Sequence, residues 1–238
     1  MAASTAKGQI VAMGGGGGGD PAHDDTPLFR YIIELTQKER PKVCFVPTAG
    51  GENRDAIIIF YDTVLALGCV PSHLSLFHPP TADLRGFILA HDLIFVGGGN
   101  TKSMLALWRE WQLDGIFREA WEAGMVFAGS SAGSICWFEE AITDSIPGPL
   151  TPLRCLGFLA GSNCPHYDSE PERRPTYQRL IADGALSAGY AAEDGVGLHF
   201  AGDRLQRVVS SRPGSRAYRV ERSADGVAET PLDTVYLG

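Results

Sequence analysis

Short, unbroken apolar runs alternate with helically spaced segments along the first two-thirds of the chain. Residues 9–13, 42–47, 72–77, 92–96 and 125–128 read as strands, and residues 55–67 and 82–90 as helices. Two more helices, 103–111 and 113–123, are divided near Asp114-Gly115. Apolar runs this short, without in–out alternation and often closed by glycine, suit parallel strands covered on both faces. Right-handed crossovers then bring the C-terminal ends of the strands to one edge, where ligands of such sheets bind. The glycine-rich segments 14–19, 97–99 and 129–133 each follow a strand, so they should meet at that edge.

Beyond Ser145 the pattern changes. Residues 146–152 form a proline-rich loop, residues 176–182 a helix, and residues 196–200, 205–210, 217–222 and 234–237 antiparallel strands. Asp225-Gly226 is a hairpin signal. The expected fold is therefore α/β: a mostly parallel central sheet with helices on both faces and antiparallel strands at the C-terminal end. No linker-like stretch or internal repeat interrupts it, so residues 1–238 read as one domain, with residues 1–7 as a flexible tail.

Composition narrows the function classes. The 238 residues are 44% hydrophobic and 20% charged, a globular balance. The net charge is −8, and no basic run exceeds the pair Arg173-Arg174, which argues against nucleic acid. No apolar stretch approaches the roughly 18 residues of a membrane span. Residues 10–13 are too short for the apolar region of a signal peptide. The five cysteines (Cys44, Cys69, Cys136, Cys155, Cys164) form neither a disulfide framework nor a zinc pattern, which fits a reducing, cytoplasmic setting.

The strongest chemical signal is Gly129-Ser130-Ser131-Ala132-Gly133 between a strand and a helix. A serine on such a bend projects its hydroxyl into the cleft, and small residues two before and two after avoid collision with neighbouring elements. Ser131 has glycines at both positions; Ser130 would have alanines. The amide of Ala132 and the start of the following helix would face a developing oxyanion. Of the six histidines, His166 lies in a proline-punctuated loop downstream, where a side chain can face a cleft. Asp144, Asp168, Glu193 and Asp194 all qualify as the carboxylate that orients the imidazole.

Taken in order, Gly97-Gly98-Gly99-Asn100-Thr101, Gly129-Ser130-Ser131-Ala132-Gly133, Pro165-His166-Tyr167-Asp168 and Glu193-Asp194-Gly195 resemble the peptidase E family of serine peptidases. That family includes aspartyl dipeptidases and, more distantly, cyanophycinases. The resemblance covers roughly residues 8 to 222. It implies a fold like the class I glutamine amidotransferase domain, with Ser131 as nucleophile and His166 as general base. The triad acid falls at Asp194, with Glu193 adjacent, or at Asp144; the later loop is favoured because it can approach the histidine loop from the sheet edge. Gly98 and Gly99, beside Asn100, match the segment that helps bind the oxyanion with Ala132. The arginine with which the dipeptidases hold a substrate carboxylate falls at Thr176, with Arg173 and Arg174 nearby but in a different register. Threonine cannot form a bidentate carboxylate clamp, so strict preference for N-terminal Asp is not expected.

The expected activity is therefore dipeptidase-like hydrolysis of short peptides with no metal or organic cofactor. Short peptides are the expected partners, without nucleic acid or membrane, and a homodimer is left open. The alternatives are a cyanophycinase-like hydrolase and a nucleotide- or phosphate-binding module built on the glycine run 14–19. That run lacks the Lys-Ser/Thr of a phosphate loop and matches G-x-G-x-x-G trivially. A cysteine nucleophile is disfavoured because Cys136 lies five residues past the elbow.

Overall fold

The computed structural model describes residues 8–16, 25–224 and 226–238. Residues 1–7, Gly17–Gly19 of the glycine run, His23 and Asp225 of the hairpin signal lie outside them. The parallel core follows the sequence pattern, except that the third strand is Val70–His73, earlier than the expected 72–77. It comprises β1 (Gln9–Met13), α1 (Thr26–Glu34), β2 (Lys42–Val46), α2 (Arg54–Ala66), β3 (Val70–His73) and α3 (Leu84–Leu89). It continues with β4 (Leu93–Val96), α4 (Thr101–Glu110), α5 (Leu113–Glu122), β5 (Val126–Ser130) and α6 (Ala132–Ile135). The chain then forms β6 (Phe138–Thr143), β7 (Thr151–Arg154), β8 (Leu159–Cys164), α7 (Arg173–Ala182) and β9 (Gly189–Ala192). It closes with β10 (Val196–Ala201), β11 (Arg204–Ser210), β12 (Ala217–Ser223), β13 (Gly226–Pro231) and β14 (Thr234–Tyr236).

One sheet of eight strands runs β14-β11-β10-β1-β5-β4-β2-β3. Its segment β1-β5-β4-β2-β3 is parallel throughout, whereas β10 is antiparallel to β1 and to β11. Strand alternation sends successive apolar residues to opposite faces. Ile10 and Ala12 of β1 join one buried cluster, and Val11 and Met13 join another. Helices α4 and α5 cover the first face through Trp108, Phe117 and Trp121. Helices α1 and α2 cover the second through Leu28, Ile32, Phe60 and Val64. This explains why Val43–Val46, Leu93–Val96 and Val126–Ala128 are apolar without a break.

A second sheet, β13-β12-β9-β8-β6-β7, was not anticipated; the expected loop 146–152 holds as far as Leu150, where β7 takes over at Thr151. Its strands mix polar and apolar residues, as in Leu159–Cys164, because only some positions face a core. Helix α7 packs on one face through Tyr177, Leu180 and Ile181. Phe138, Leu159, Ala192 and Ala217 join the large cluster under the first sheet. The expectation of antiparallel C-terminal strands also needs one correction: β14 runs parallel to β11. Among the described residues, no helix is long and apolar enough to cross a membrane.

Candidate active site

The C-terminal ends of β1, β4 and β5 lie side by side, with Met13 opposite Ser130 and Val96 opposite Gly129. Gly14–Gly16, Gly97–Gly99 and Gly129–Gly133 therefore sit at one edge, as the alternation of strands and helices demands. Ser131 occupies the junction of β5 and α6 with φ +57° and ψ −110°. A non-glycine residue held there is strained and persists only because its surroundings fix it. The flanking glycines show how. A Cβ on Gly129 would lie 2.5 Å from the Gly133 carbonyl oxygen, and one on Gly133 would lie 2.1 Å from that of Val96. Helix α6 spans only four residues, too short to bring the field of a long helix to the serine.

His166 also has a positive φ, +54°. Its backbone N–H donates to the Gly14 carbonyl at 2.7 Å, fixing the histidine loop to the end of β1. Its Nδ1 lies 2.9 Å from Asp194 Oδ1, and both side chains are about one-fifth exposed (19% and 18%). The acid loop is tied to the same strand end, with the Gly195 N–H donating to Gly15 at 3.2 Å. Burial acts to raise the pKa of Asp194. Hydrogen bonds from His166 and Ser169, with the charges of His166 and Arg212, outweigh it, and the net shift is downward. Asp194 therefore stays ionised at neutral pH and receives the Nδ1 proton of the imidazole.

The two rival carboxylates are placed elsewhere. Asp144 is largely exposed and lies 3.6 Å from Arg173. Glu193 accepts from the Tyr218 hydroxyl at 2.8 Å and the Arg216 backbone N–H at 3.1 Å. Asp168 accepts from the Asp194 backbone N–H at 2.9 Å and pairs with Arg212, so it braces the acid loop.

Three of the expected substrate contacts also fall away from the site. Asn100 caps α4 by accepting from the Ser103 N–H at 2.9 Å, and its amide donates to the Ser145 carbonyl. Arg173 is buried and held by Glu170 at 2.6 Å. Arg174 pairs with Glu229 and lies over the rings of Tyr167 and Tyr218. The two glycines of the expected oxyanion segment divide. A Cβ on Gly98 would lie 3.3 Å from Ser131 Cβ, so its backbone adjoins the serine. Gly99, at φ +132°, instead packs against Ala49.

A cavity of about 750 Å³ opens at this edge, lined by Ser131, His166, Gly97 and Gly98 and extending between α1 and α2. Its volume is typical of a small-ligand site. Sequence reasoning missed two features here. The first is Gly15, where a Cβ would lie 1.9 Å from Asp194 Oδ1 and 2.5 Å from His166 Nδ1. Glycine there lets the His–Asp pair rest on the strand end, and the signal was present as a glycine closing β1. The second is the aromatic wall of the cavity, formed by Phe29, Phe45, Phe60 and Phe95, which reads in sequence as ordinary core. All five cysteines are buried or partly buried, and burial pushes up the thiols of Cys44 (to about 12), Cys136 and Cys164.

The model of peptidase family S51 matches residues 10–208. An uncharacterized peptidase, YgaJ, of Bacillus subtilis is 54% identical over 231 residues, covering 97% of this chain and 99% of the relative. Peptidase E of Shewanella amazonensis is 31% identical over 200 residues, covering 76% of this chain and 81% of the relative. In fold, the crystal structure of a peptidase from an acI-B1 actinobacterium superposes with TM-score 0.70 at 18% identity, covering 97% of this chain and 96% of that one. A Listeria monocytogenes structure described as a putative peptidase E gives 0.58 at 17% identity, covering 96% and 100%.

Proposed function

The chain belongs to peptidase family S51 and is a serine-type peptidase, and from this we propose that it cleaves short peptides through an acyl-enzyme on Ser131. The observation that carries the reading is the strained Ser131 sharing one cavity with His166, whose Nδ1 is held by Asp194. With Nδ1 engaged, His166 takes the Ser131 proton at Nε2 as the oxygen attacks the scissile carbonyl. Asp194 keeps the imidazole oriented and stabilises its charged form. The amides of Ala132 and Gly98 are the oxyanion donors in this reading. The imidazolium then protonates the leaving amine, and water repeats the sequence to release the acyl group. A cavity of about 750 Å³ suits a peptide of a few residues rather than an extended chain.

Replacing Ser131 with Ala tests the assignment. Turnover of a dipeptide panel should fall at least ~10³-fold, with an unchanged circular dichroism spectrum. Near-normal turnover in that variant would overturn it.

A further inference from the structure

The cavity that holds Ser131 continues into an aromatic wall. Phe29 stacks on Phe95 at 5.0 Å between ring centroids, and Phe45 stacks on Phe60 at 4.5 Å. Phe60 and Phe95 close the set at 5.6 Å. Ile59 of α2, about half exposed, stands at the rim. This wall adjoins the nucleophile, because Gly97 and Gly98 lie between the rings and Ser131: a Cβ on Gly97 would lie 3.0 Å from the Phe45 ring.

Apart from the His166 imidazole, the titratable side chains on the lining are acidic. Among the described residues that line the cavity, Asp25 and Asp55 are acidic, and neither lysine nor arginine is present. Arg173 and Arg174 are engaged with Glu170 and Glu229 on another part of the molecule. A substrate carboxylate would therefore meet carboxylates here and no guanidinium, whereas an ammonium would meet complementary charge. In a short peptide the N-terminal residue carries the ammonium and the C-terminal residue the carboxylate. The cavity thus suits the N-terminal residue, which supplies the scissile carbonyl.

We propose that the Phe29–Phe45–Phe60–Phe95 wall is the specificity pocket for the N-terminal residue of the substrate, and that it selects a large apolar side chain, aromatic above all. This rests on Ser131 being the nucleophile. Burying such a side chain in place of a methyl group should favour it by roughly tenfold to hundredfold in kcat/KM. Ala56, exposed on α2 at the mouth of this pocket, sets the room available.

The test measures kcat/KM for Phe-Ala, Leu-Ala, Ala-Ala, Asp-Ala and Arg-Ala with the full-length chain and its Ala56→Trp variant. Ser131 labelling by a fluorophosphonate is followed in parallel. The expected order is Phe-Ala and Leu-Ala above Ala-Ala, with Asp-Ala lowest. Ala56→Trp should lower the Phe-Ala to Ala-Ala ratio at least tenfold. Preference for Asp-Ala or Ala-Ala by a protein that labels at Ser131 overturns the pocket and leaves the nucleophile standing. An unchanged ratio in a folded Ala56→Trp variant also overturns it, since selection would then occur elsewhere. If nothing is cleaved and Ser131 does not label, the underlying serine reading fails and the pocket assignment with it.

Discussion

Asp194 is set apart from Asp144 and Glu193 by its Oδ1, 2.9 Å from His166 Nδ1. A carboxylate there holds the imidazole in the tautomer that can accept a proton from serine, and an amide would hold the wrong one. Asp194→Asn is expected to cut kcat by up to about 10⁴-fold. Asp144→Asn and Glu193→Gln should change it less than about tenfold, because those side chains bond Arg173, Tyr218 and Arg216 instead. Steady-state rates of the three variants on one peptide check this; an equal loss in Asp144→Asn would contradict it. The bend at Ser131 was legible because the small residues it requires are its neighbours in sequence. The carboxylate beside His166 was legible only as the favoured one of several, because the His166–Asp194 pair is 28 residues apart in the chain and the fold decides which carboxylate reaches it.

Glycines at the strand ends separate two kinds of constraint. A Cβ on Gly133 would strike the backbone of Val96 inside the β4–α6 contact. Gly133→Ala should therefore destabilise the protein by about 3 kcal/mol or more, read as a lower denaturant midpoint. The atoms nearest a Cβ on Gly15 would be side-chain atoms of Asp194 and His166, not backbone. Gly15→Ala should keep most of its stability yet lose at least ~10-fold in kcat, because the His–Asp pair must move aside. Equal stability losses in both variants would show that Gly15 serves the backbone alone. At this scale the parallel strands and α2 to α5 were legible, because unbroken apolar runs and helical spacing leave little choice. Helix α1 was not read, since it is short and buries only Leu28 and Ile32. Strands β6 to β9 were not read either: Phe138–Thr143 holds two glutamates and Leu159–Cys164 a glycine, a serine and an asparagine, so no clean period survives.

For the whole molecule, His199 links the central sheet to α1. Its Nδ1 receives the Tyr31 hydroxyl at 2.7 Å and its Nε2 donates to Gln9 Oε1 at 2.9 Å. Burial, reinforced by the charge of Arg207, pushes its pKa down to about 4 from 6.5. Between those values the unfolded chain binds a proton that the folded chain refuses, so stability falls as pH drops from about 6.5 to about 4. The loss is on the order of 3 kcal/mol at most. Urea midpoints at pH 7 and pH 4.5 should converge in His199→Gln relative to the parent; an identical acid sensitivity would place it in other groups. Which face each element presents, and that two sheets share one apolar cluster, emerges only when the chain is assembled, and the aromatic wall of the cavity belongs to that level. The most direct test of the central claim is mass-spectrometric mapping of the intact protein after reaction with a fluorophosphonate. The account predicts one adduct per chain, on Ser131, formed in parallel with loss of peptidase activity and slowed in Asp194→Asn. An adduct on any other residue, or full inactivation with Ser131 unmodified, would contradict it.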